Sequence, residues 1–269
     1  MSPELVALLI GAAGLLAWRL LTYLLSAPAA QASAEPRRGA KSEAGAAHPY
    51  GDCGSAASGS FCGACTSKSV AVSTFLRHRA PDPQCGVDIA PDGYVRVAAL
   101  LAWPALRGKL TGADLRAMVE RCPKQRFSIV ERPREPPSPA LEPWVRANQG
   151  HSYFEGSRLD SSLMLSPVLS ASDAPTAVHG TSRASLELIT ASGGLKPMGR
   201  THVHFARGLP GEDGVISGMR ARSQVHLYLN VPAALREGLA LFKSSNGVIL
   251  TPGDRNGLVP MRLLRERPW

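Results

Sequence analysis

Four short fragments of the chain combine histidine or arginine with serine, threonine or glycine, a mixture that suits the binding of anions and sugar hydroxyls. They are Leu76-Arg77-His78, the segment RANQGHS at 146–152, His179-Gly180-Thr181, and the segment RTHVH at 200–204. A guanidinium can bind two phosphate oxygens at once and stays charged at physiological pH. Three such groups, on Arg77, Arg146 and Arg200, therefore predict a substrate that carries phosphate.

Gly180 lies between two side chains that can hydrogen-bond to hydroxyls, His179 and Thr181. Because glycine has no side chain, a ribose or dinucleotide could approach the main chain closely at this point. The sequence has no Walker motif and no G-x-G-x-x-G turn after a strand, so a dinucleotide here would be bound without a Rossmann turn. A single histidine is more often a packing residue than a ligand, whereas the complete set favours a site.

The segment 177–206 must position two of these fragments. Its apolar spacing predicts a helix over Ser185–Ala191, which Gly193-Gly194 then ends. Polar and apolar side chains alternate over Arg200–Phe205 and predict a strand. His202 and His204 then share one face of that strand, beside Arg200.

The other two fragments belong to an earlier group of elements. We predict a helix around Val72–Leu76 that ends before Pro81, a second helix over Ala98–Trp103, a third that begins at Thr111 with Asp114 completing its cap, and a hairpin of 126–131 with 144–149. Three short helices and a two-stranded wing are typical of a winged-helix domain with a basic surface for nucleic acid. A small helical domain that packs on its neighbour fits the same elements.

The rest of the ordered chain predicts a second lobe. Residues 153–174 are rich in Ser, Leu and Pro and are interpreted as a linker. A strand over Val225–Asn230, a helix over Val231–Phe242 and a strand at 248–251 after Asn246-Gly247 follow. Short strands with few helices indicate an α+β lobe.

The N-terminal region has a different composition. Leu5–Leu25 is nearly all apolar and long enough to cross a bilayer, so it predicts a transmembrane helix. The basic residues Arg37, Arg38 and Lys41 follow it and would place the remainder on the cytosolic side. An organellar leader is the alternative. The stretch 27–66, rich in Ala, Gly, Ser and Pro, is predicted to be a flexible tether.

Charge and cysteine content narrow the class of partner. The net charge is +9, and all of the excess lies in residues 66–269, with 26 Lys and Arg against 17 Asp and Glu. This predicts a polyanionic partner, nucleic acid first, although a basic surface without a partner is possible. The five cysteines form no even disulfide framework and indicate free thiols. A zinc site from Cys62 and Cys65 with Cys53 and Cys85 is the less favoured alternative.

Residues 67–265 resemble the NAD-dependent tRNA 2′-phosphotransferases of the KptA type. The resemblance is carried by eight segments in family order: FLRH, DGYVRV, KQRF, VRANQGHS, VHGT, GLKPMGRTHVHFA, VISGMR and SSNGVILTPGD. It implies an α+β fold with an N-terminal winged-helix RNA-binding lobe and a C-terminal ADP-ribosyltransferase-like lobe. The expected organisation is an anchor or leader at 1–26, a tether at 27–66, the RNA lobe at 67–155, a linker at 156–174 and the NAD lobe at 175–269.

The resemblance also implies an activity. The family transfers the internal 2′-phosphate of spliced tRNA to NAD, in the last step of tRNA splicing. The products are 2′-OH RNA, nicotinamide and ADP-ribose 1″,2″-cyclic phosphate, so that NAD is consumed as a co-substrate, and no metal is required. The segment that follows FLRH is irregular here and Val178 stands where an aromatic residue is common before HGT, but these departures leave the implied catalytic set intact.

The same resemblance assigns roles to individual residues. Arg77, His78, Arg146 and Arg200 match the catalytic set, in which the arginines would neutralise the phosphate and His78 would transfer a proton or orient the phosphate. The implied NAD pocket contains His179, Gly180, Thr181 and His202, with His151 and Ser152 close by.

We therefore expect a monomeric enzyme that acts on tRNA or another RNA with an internal 2′-phosphate, held to a membrane through residues 5–25 with its catalytic part in the cytosol. Two alternatives come from other classes. One is a non-catalytic, membrane-tethered RNA-binding protein on the same fold, and the other is an ADP-ribosyltransferase that modifies nucleic-acid phosphate ends.

Overall fold

A computed structural model describes residues 63–134, 140–220 and 222–269 of the chain. Its first group of elements comprises α1 (Gly63–His78), β1 (Val95–Arg96), α2 (Val97–Ala102), α3 (Gly112–Glu120), β2 (Phe127–Pro133) and β3 (Leu141–Ala147). Strands β2 and β3 form an antiparallel hairpin, and β1 adds antiparallel to the other edge of β3. Helix α1 thus begins inside the stretch predicted as a tether.

One face of this sheet closes the first hydrophobic core. Val95 and Val145 are opposite each other in the register and fully buried, and they pack with Phe75 and Leu76 of α1 and with Leu115 of α3. The other face carries the alternate residues of the strands, which are mostly polar. The sheet is therefore apolar towards the helices and polar on its outer face.

Two helix ends follow from local chemistry. Thr111 Oγ1 accepts from the Asp114 amide at 3.1 Å, and the Asp114 carboxylate accepts from the Thr111 amide at 3.1 Å, which confirms the predicted capping box. Helix α1 ends at His78 because Pro81 has no amide hydrogen and disfavours helical geometry in the residue before it. Arg77 and His78 consequently lie in the last turn of α1, where the helix dipole favours positive charge.

The second group of elements forms three small antiparallel sheets. In chain order it comprises β4 (Ser166–Pro167), β5 (Val178–Thr181), α4 (Arg183–Ala191), β6 (Gly194–Leu195), β7 (Val203–Phe205), β8 (Val225–Leu229), α5 (Val231–Arg236), β9 (Phe242–Lys243), β10 (Ile249–Thr251), β11 (Val259–Pro260) and β12 (Leu264–Arg265). The sheet orders are β4-β9-β10-β7, β11-β6 and β12-β8-β5. Phe205, Ala234, Ile249 and Val259 are among the fully buried residues of this second core.

The segment predicted as a linker, 156–174, is part of the folded structure. It contains two short 3₁₀ helices and β4, which pairs with β9. Met164, Leu165 and Val168 are buried, the first two against Val248 and Leu250. The sequence did not reveal these elements, because each of them is too short to show a repeating apolar pattern.

Two further elements are shorter than predicted. The helix that begins at Val231 ends at Arg236, because Gly238 adopts a positive φ of 80° and its amide closes on the Leu235 carbonyl. The strand predicted over Arg200–Phe205 is regular only over Val203–Phe205. Thr201 leaves the sheet because its amide donates to the carbonyl of His151 at 3.1 Å.

The fold-class prediction placed a transmembrane helix and a tether ahead of the two lobes. Its transmembrane helix is wrong. The structure shows an α+β protein with several small sheets, and no helix of the described residues is long and apolar enough to span a bilayer. The longest of them, α1, has 16 residues and includes Lys68 and Arg77. Leu5–Leu25 lies outside the described residues, and the predicted localisation depends on that segment.

Asn246 connects the two groups of elements and gives a test of the fold. Its side chain is buried, its Nδ2 donates to the carbonyl of Lys124 at 3.0 Å, and its Oδ1 accepts from Ser244 Oγ at 2.7 Å.

We expect Asn246→Ala to lower the free energy of unfolding by about 1–3 kcal/mol, because buried polar partners lose their hydrogen bonds. Urea unfolding followed by circular dichroism measures the change. The exposed Asn256→Ala is the control, and equal stabilities for the two variants would contradict the prediction.

Candidate active site

Ser152 brings three of the predicted fragments together. Its amide donates to the carbonyl of Arg77 at 2.9 Å, and its hydroxyl lies 2.8 Å from Nδ1 of His78. Ser152 also forms an isolated antiparallel bridge with Arg200. The end of α1, the segment after β3 and the segment before β7 therefore meet at one residue.

His151 extends the same junction. Its carbonyl accepts from the amide of Thr201 at 3.1 Å and from Oγ1 of Thr201 at 3.4 Å. Oγ1 of Thr201 lies 2.8 Å from Nδ1 of His202. The backbone of 151–152 thus runs beside that of 200–201, and it holds His151, Arg200 and His202 in one region.

Arg146 reaches this region from β3. Its Nη1 donates to the carbonyl of Asp92 at 3.0 Å, and its guanidinium carbon lies 4.8 Å from the centre of the Tyr94 ring. Gly150 makes room for Arg77, since a Cβ at this glycine would lie 3.4 Å from the Nε of Arg77. Gly150 also has a φ of 88°, which favours glycine.

The electrostatic interactions show that the three arginines share this region. Burial is the main cause of the lowered pKa of His78, and Arg200 and Arg77 lower it further. Burial, followed by Arg77 and Arg146, lowers the pKa of His151 to about 3. Burial and the neighbouring Arg200 lower the pKa of Arg77 itself to about 10. Arg77 therefore acts on His78 together with Arg200 and on His151 together with Arg146, so the three arginines lie in one region.

The remaining histidines of the region are neutral at pH 7. Burial lowers the pKa of His202 to about 4, and burial followed by Arg200 lowers that of His204 to about 3. Burial disfavours the protonated form of both rings, and Arg200 also disfavours that of His204, so the neutral imidazoles are favoured. These rings are therefore available as hydrogen-bonding groups and add no charge to that of the arginines.

The predicted cofactor fragment lies on β5, and His204 links it to this region. Nδ1 of His179 donates to the carbonyl of His204 at 2.9 Å, which leaves Nε2 as an acceptor on a ring whose pKa burial has lowered. Gly180 has no open space beside it, because Met219 and Ser223 occupy the position that a Cβ would take. Thr181 is half-buried, and its carbonyl accepts from Gln224 at 2.8 Å. The close approach at Gly180 is thus made by the segment before β8.

The structure adds two residues that the sequence reasoning did not select. Arg126 further lowers the pKa of Arg77, and Arg220 further lowers that of Arg200. Both occur inside the segments that carry the family resemblance, KQRF and VISGMR. Membership of those segments was the available signal, but no histidine stands beside Arg126 or Arg220 in the chain to mark them.

The site holds more donors and positive charge than the protein itself satisfies. Several of its side-chain nitrogens are buried without a hydrogen-bond partner among the described residues: Arg77 Nε, Arg146 Nε, His151 Nε2 and His204 Nε2. Over the same residues no carboxylate forms an ion pair with Arg77, Arg146 or Arg200. Since buried polar groups are normally satisfied, this composition fits an anionic ligand. Fold and site together define an α+β protein of the phosphate-binding class.

The structure gives no support for a metal in the part of the chain that it describes. No group of three or more His, Cys, Asp or Glu side chains there could hold an ion. Of the four cysteines considered for zinc, Cys85 is a free thiol, and Cys53 and Cys62 lie outside the described residues.

Comparison with known proteins identifies the family. Residues 65–253 match the family model described as RNA 2′-phosphotransferase, Tpt1 / KptA family. The chain is 40% identical over 199 residues to tRNA 2′-phosphotransferase 1 of Bos taurus, which covers 74% of this chain and 73% of the relative. It is 37% identical over 202 residues to the Homo sapiens protein of the same name, with the same coverage, and 34% identical over 201 residues to tRNA 2′-phosphotransferase of Saccharomyces cerevisiae, covering 74% and 81%. The chain belongs to the RNA 2′-phosphotransferase, Tpt1 / KptA family, and the resemblance seen in the sequence is confirmed.

The buried histidines predict a loss of stability in acid. An unfolded histidine takes up a proton near pH 6.5, whereas folded His204 stays neutral down to about pH 3, so stability is complete above pH 6.5 and is lost as the pH falls below it. From about pH 7.5 to about pH 5.5 this loss is about 1.4 kcal/mol for each such histidine.

We therefore expect the free energy of unfolding of His204→Gln to fall by about 1.4 kcal/mol less than that of the unmodified protein between these two pH values. Urea unfolding at both pH values measures the difference. His226→Gln, on strand β8 of a different sheet, is the matched control. An unchanged pH dependence in His204→Gln would show that His204 is not held neutral by the fold.

Proposed function

We propose that this chain transfers the internal 2′-phosphate of spliced tRNA to NAD. The observation that carries the proposal is that Arg77 shares His78 with Arg200 and His151 with Arg146, while no carboxylate of the described residues pairs with these arginines, in a chain that belongs to the RNA 2′-phosphotransferase family. Such a site suits a phosphate group that already bears two negative charges. NAD supplies a ribose carbon that accepts the phosphate, with nicotinamide as the leaving group.

The arginines act on the migrating phosphate. Arg77 is nearly buried, and its Nε has no hydrogen-bond partner in the part of the chain that the structure describes, so it can donate from Nε and from its terminal nitrogens together. Arg200 is exposed and lies close enough to lower the pKa of Arg77, and Arg146 enters from the sheet. Arg146 is held by the Asp92 carbonyl and the Tyr94 ring before the substrate arrives, so it can stabilise negative charge in the transition state without reorganisation.

His78 is the group that moves a proton or orients the phosphate. Burial, followed by Arg200 and Arg77, lowers the pKa of His78 and favours the neutral imidazole, so it can accept a proton from a ribose hydroxyl. Ser152 engages Nδ1 at 2.8 Å, which fixes the ring and leaves Nε2 for the substrate. His78 and Ser152 therefore form a pair in which the serine positions the base.

The NAD pocket is proposed on β5 and the segment before β7. Nε2 of His179 is a fixed acceptor for a ribose hydroxyl, and Thr181 and His202 offer further hydrogen bonds nearby. His151 positions the proposed pocket, since its side chain is buried and its carbonyl accepts a hydrogen bond from the amide of Thr201. Gly180 allows the close packing of Met219 and Ser223 on β5. We assign the RNA to 67–155 and NAD to 175–269, and we propose a monomer.

The central experiment incubates the purified chain with NAD and an oligonucleotide that bears an internal 2′-phosphate. We expect NAD-dependent formation of ADP-ribose 1″,2″-cyclic phosphate together with 2′-OH RNA, detected by chromatography and mass spectrometry. The same RNA without the 2′-phosphate is the control. Stable ADP-ribosylated RNA as the end product would indicate a nucleic-acid ADP-ribosyltransferase, and binding without turnover would indicate an RNA-binding protein.

Arg77→Lys tests whether the phosphate contact needs a guanidinium. Lysine keeps the charge but lacks Nε and the planar pair of donors, so we expect kcat to fall roughly 100-fold. The matched control is Arg79→Lys, an exposed arginine two residues further on. Thermal unfolding of both variants separates a catalytic effect from a folding effect. Full activity of a folded Arg77→Lys would show that a simple positive charge is sufficient.

A further inference from the structure

The outer face of the sheet β1-β3-β2 carries a continuous row of arginines and aromatic rings. Across the strands Arg96 is opposite Trp144, and Arg132 is opposite Glu142. Trp144 and Arg146 alternate with the core residue Val145 and so lie on the outer face. We call Tyr94, Arg96, Arg132 and Trp144, which lead to Arg146, the arginine–aromatic strip.

The strip is built by stacking. The guanidinium carbon of Arg96 lies 5.3 Å from the centre of the Trp144 ring. That of Arg132 lies 4.2 Å from the Tyr94 ring and 5.4 Å from the Trp144 ring, and that of Arg146 lies 4.8 Å from the Tyr94 ring. Arginine and aromatic groups thus alternate from Arg96 to the proposed phosphate site. A guanidinium held against a ring still offers N–H donors from its edge.

The charges of the strip do not cancel. Asp92 pairs with Arg132, and Glu142 pairs with Arg96 at 2.8 Å and with Arg134 at 3.6 Å. Among the described residues, two carboxylates therefore pair with this group of four arginines once Arg146 is included. The side chains of Arg96 and Arg132 are about one-third exposed, and that of Arg134 is mostly exposed. The face combines an excess of positive charge with access to solvent.

We propose that the arginine–aromatic strip binds the phosphodiester backbone of the RNA on one side of the 2′-phosphorylated nucleotide. The inference rests on the proposed function, since it takes Arg146 as the point where the reacting phosphate is held. The four-residue separation of Glu142 and Arg146 along β3 spans about 13 Å, which exceeds the size of a single phosphate. An extended polyanion fits such a length.

The fold favours RNA over NAD as the occupant. The residues proposed for NAD belong to β5 and the segment before β7, whereas the strip belongs to the first sheet and leads away from Arg146 towards Arg96. A dinucleotide bound beside His179 ends within its own pocket, but an RNA strand continues beyond the modified nucleotide in both directions. Backbone contacts of this kind position the strand without selecting its sequence.

Equilibrium binding separates the strip from the reaction site. Three 2′-phosphorylated RNAs are compared by fluorescence anisotropy: a trinucleotide, and RNAs extended only on the 5′ side or only on the 3′ side. We expect one extended RNA to bind the unmodified chain more tightly than the trinucleotide. In Arg132→Gln the ratio of the trinucleotide Kd to the Kd of that extended RNA should fall about tenfold, because a charge-assisted contact is lost. The slope of log Kd against log salt should fall by about one for that RNA.

Arg96→Gln is the second variant, because Arg96 stacks on Trp144 and is further along the strip from Arg146. Arg262→Gln, whose arginine pairs with Glu237 outside the strip, is the matched control and should keep the full advantage. Thermal unfolding of each variant excludes a loss of fold.

Equal weakening of the trinucleotide and the extended RNA in both strip variants would overturn the inference, because the strip would then act through Arg146. Weaker binding of NAD with unchanged RNA binding would overturn it as well. The phosphate-transfer assay of the unmodified chain stands apart from this measurement: absence of turnover would reject the proposed function, while the binding of extended RNA would still decide whether the strip is an RNA surface.

Discussion

The site depends on the junction at Ser152. Its amide donates to the Arg77 carbonyl at the end of α1, and its hydroxyl contacts His78. Its backbone forms a β-bridge with Arg200. Arg77 and His78 come from the end of α1 and Arg200 from the segment before β7, so Ser152 joins parts of the chain that are distant in sequence. Because the contacts are made largely by backbone groups, the geometry is independent of the charged side chains that it presents. The junction therefore positions the chemistry without neutralising it.

That arrangement carries a cost in stability. Arg77 is almost buried, and Arg126 and Arg200 lower its pKa further, so like charges are held together in a region with little water. Burial is the main cause of the lowered pKa values of four nearby histidines and favours their neutral forms. The packing of the two cores offsets this cost, with fully buried residues such as Phe75 and Phe205 on either side. A negatively charged ligand would remove part of this cost in stability, because it would neutralise some of the grouped positive charge. Ligand binding is therefore coupled to the stability of the fold.

The sequence predicted the parts of this site that local patterns encode. The capping box at Thr111 and the stop of α1 before Pro81 follow from single residues, and the order of the motif segments identified the family. Long-range contacts were not predictable in this way. The pairing of β4 with β9 folds 156–174 into the second part of the protein through two-residue strands, which are too short to show a period. Arg126 and Arg220 likewise affect the site only through neighbours distant in the chain. The membrane helix was inferred from the composition of residues outside the described structure.

The supports of Arg146 explain how an arginine can be fixed and remain available to a substrate. A carboxylate partner would hold the guanidinium firmly, but it would also neutralise the charge that the phosphate requires. The structure uses the carbonyl of Asp92 and the ring of Tyr94 for this purpose, while the carboxylate of Asp92 pairs with Arg132. Gly93, with a φ of 82°, turns the chain between these two supports. One aspartate thus serves two arginines in different ways: its main chain holds the one at the proposed phosphate site, and its side chain holds the one on the strip. The separation of these two roles keeps positive charge at the reaction centre and lets the adjacent surface carry ion pairs.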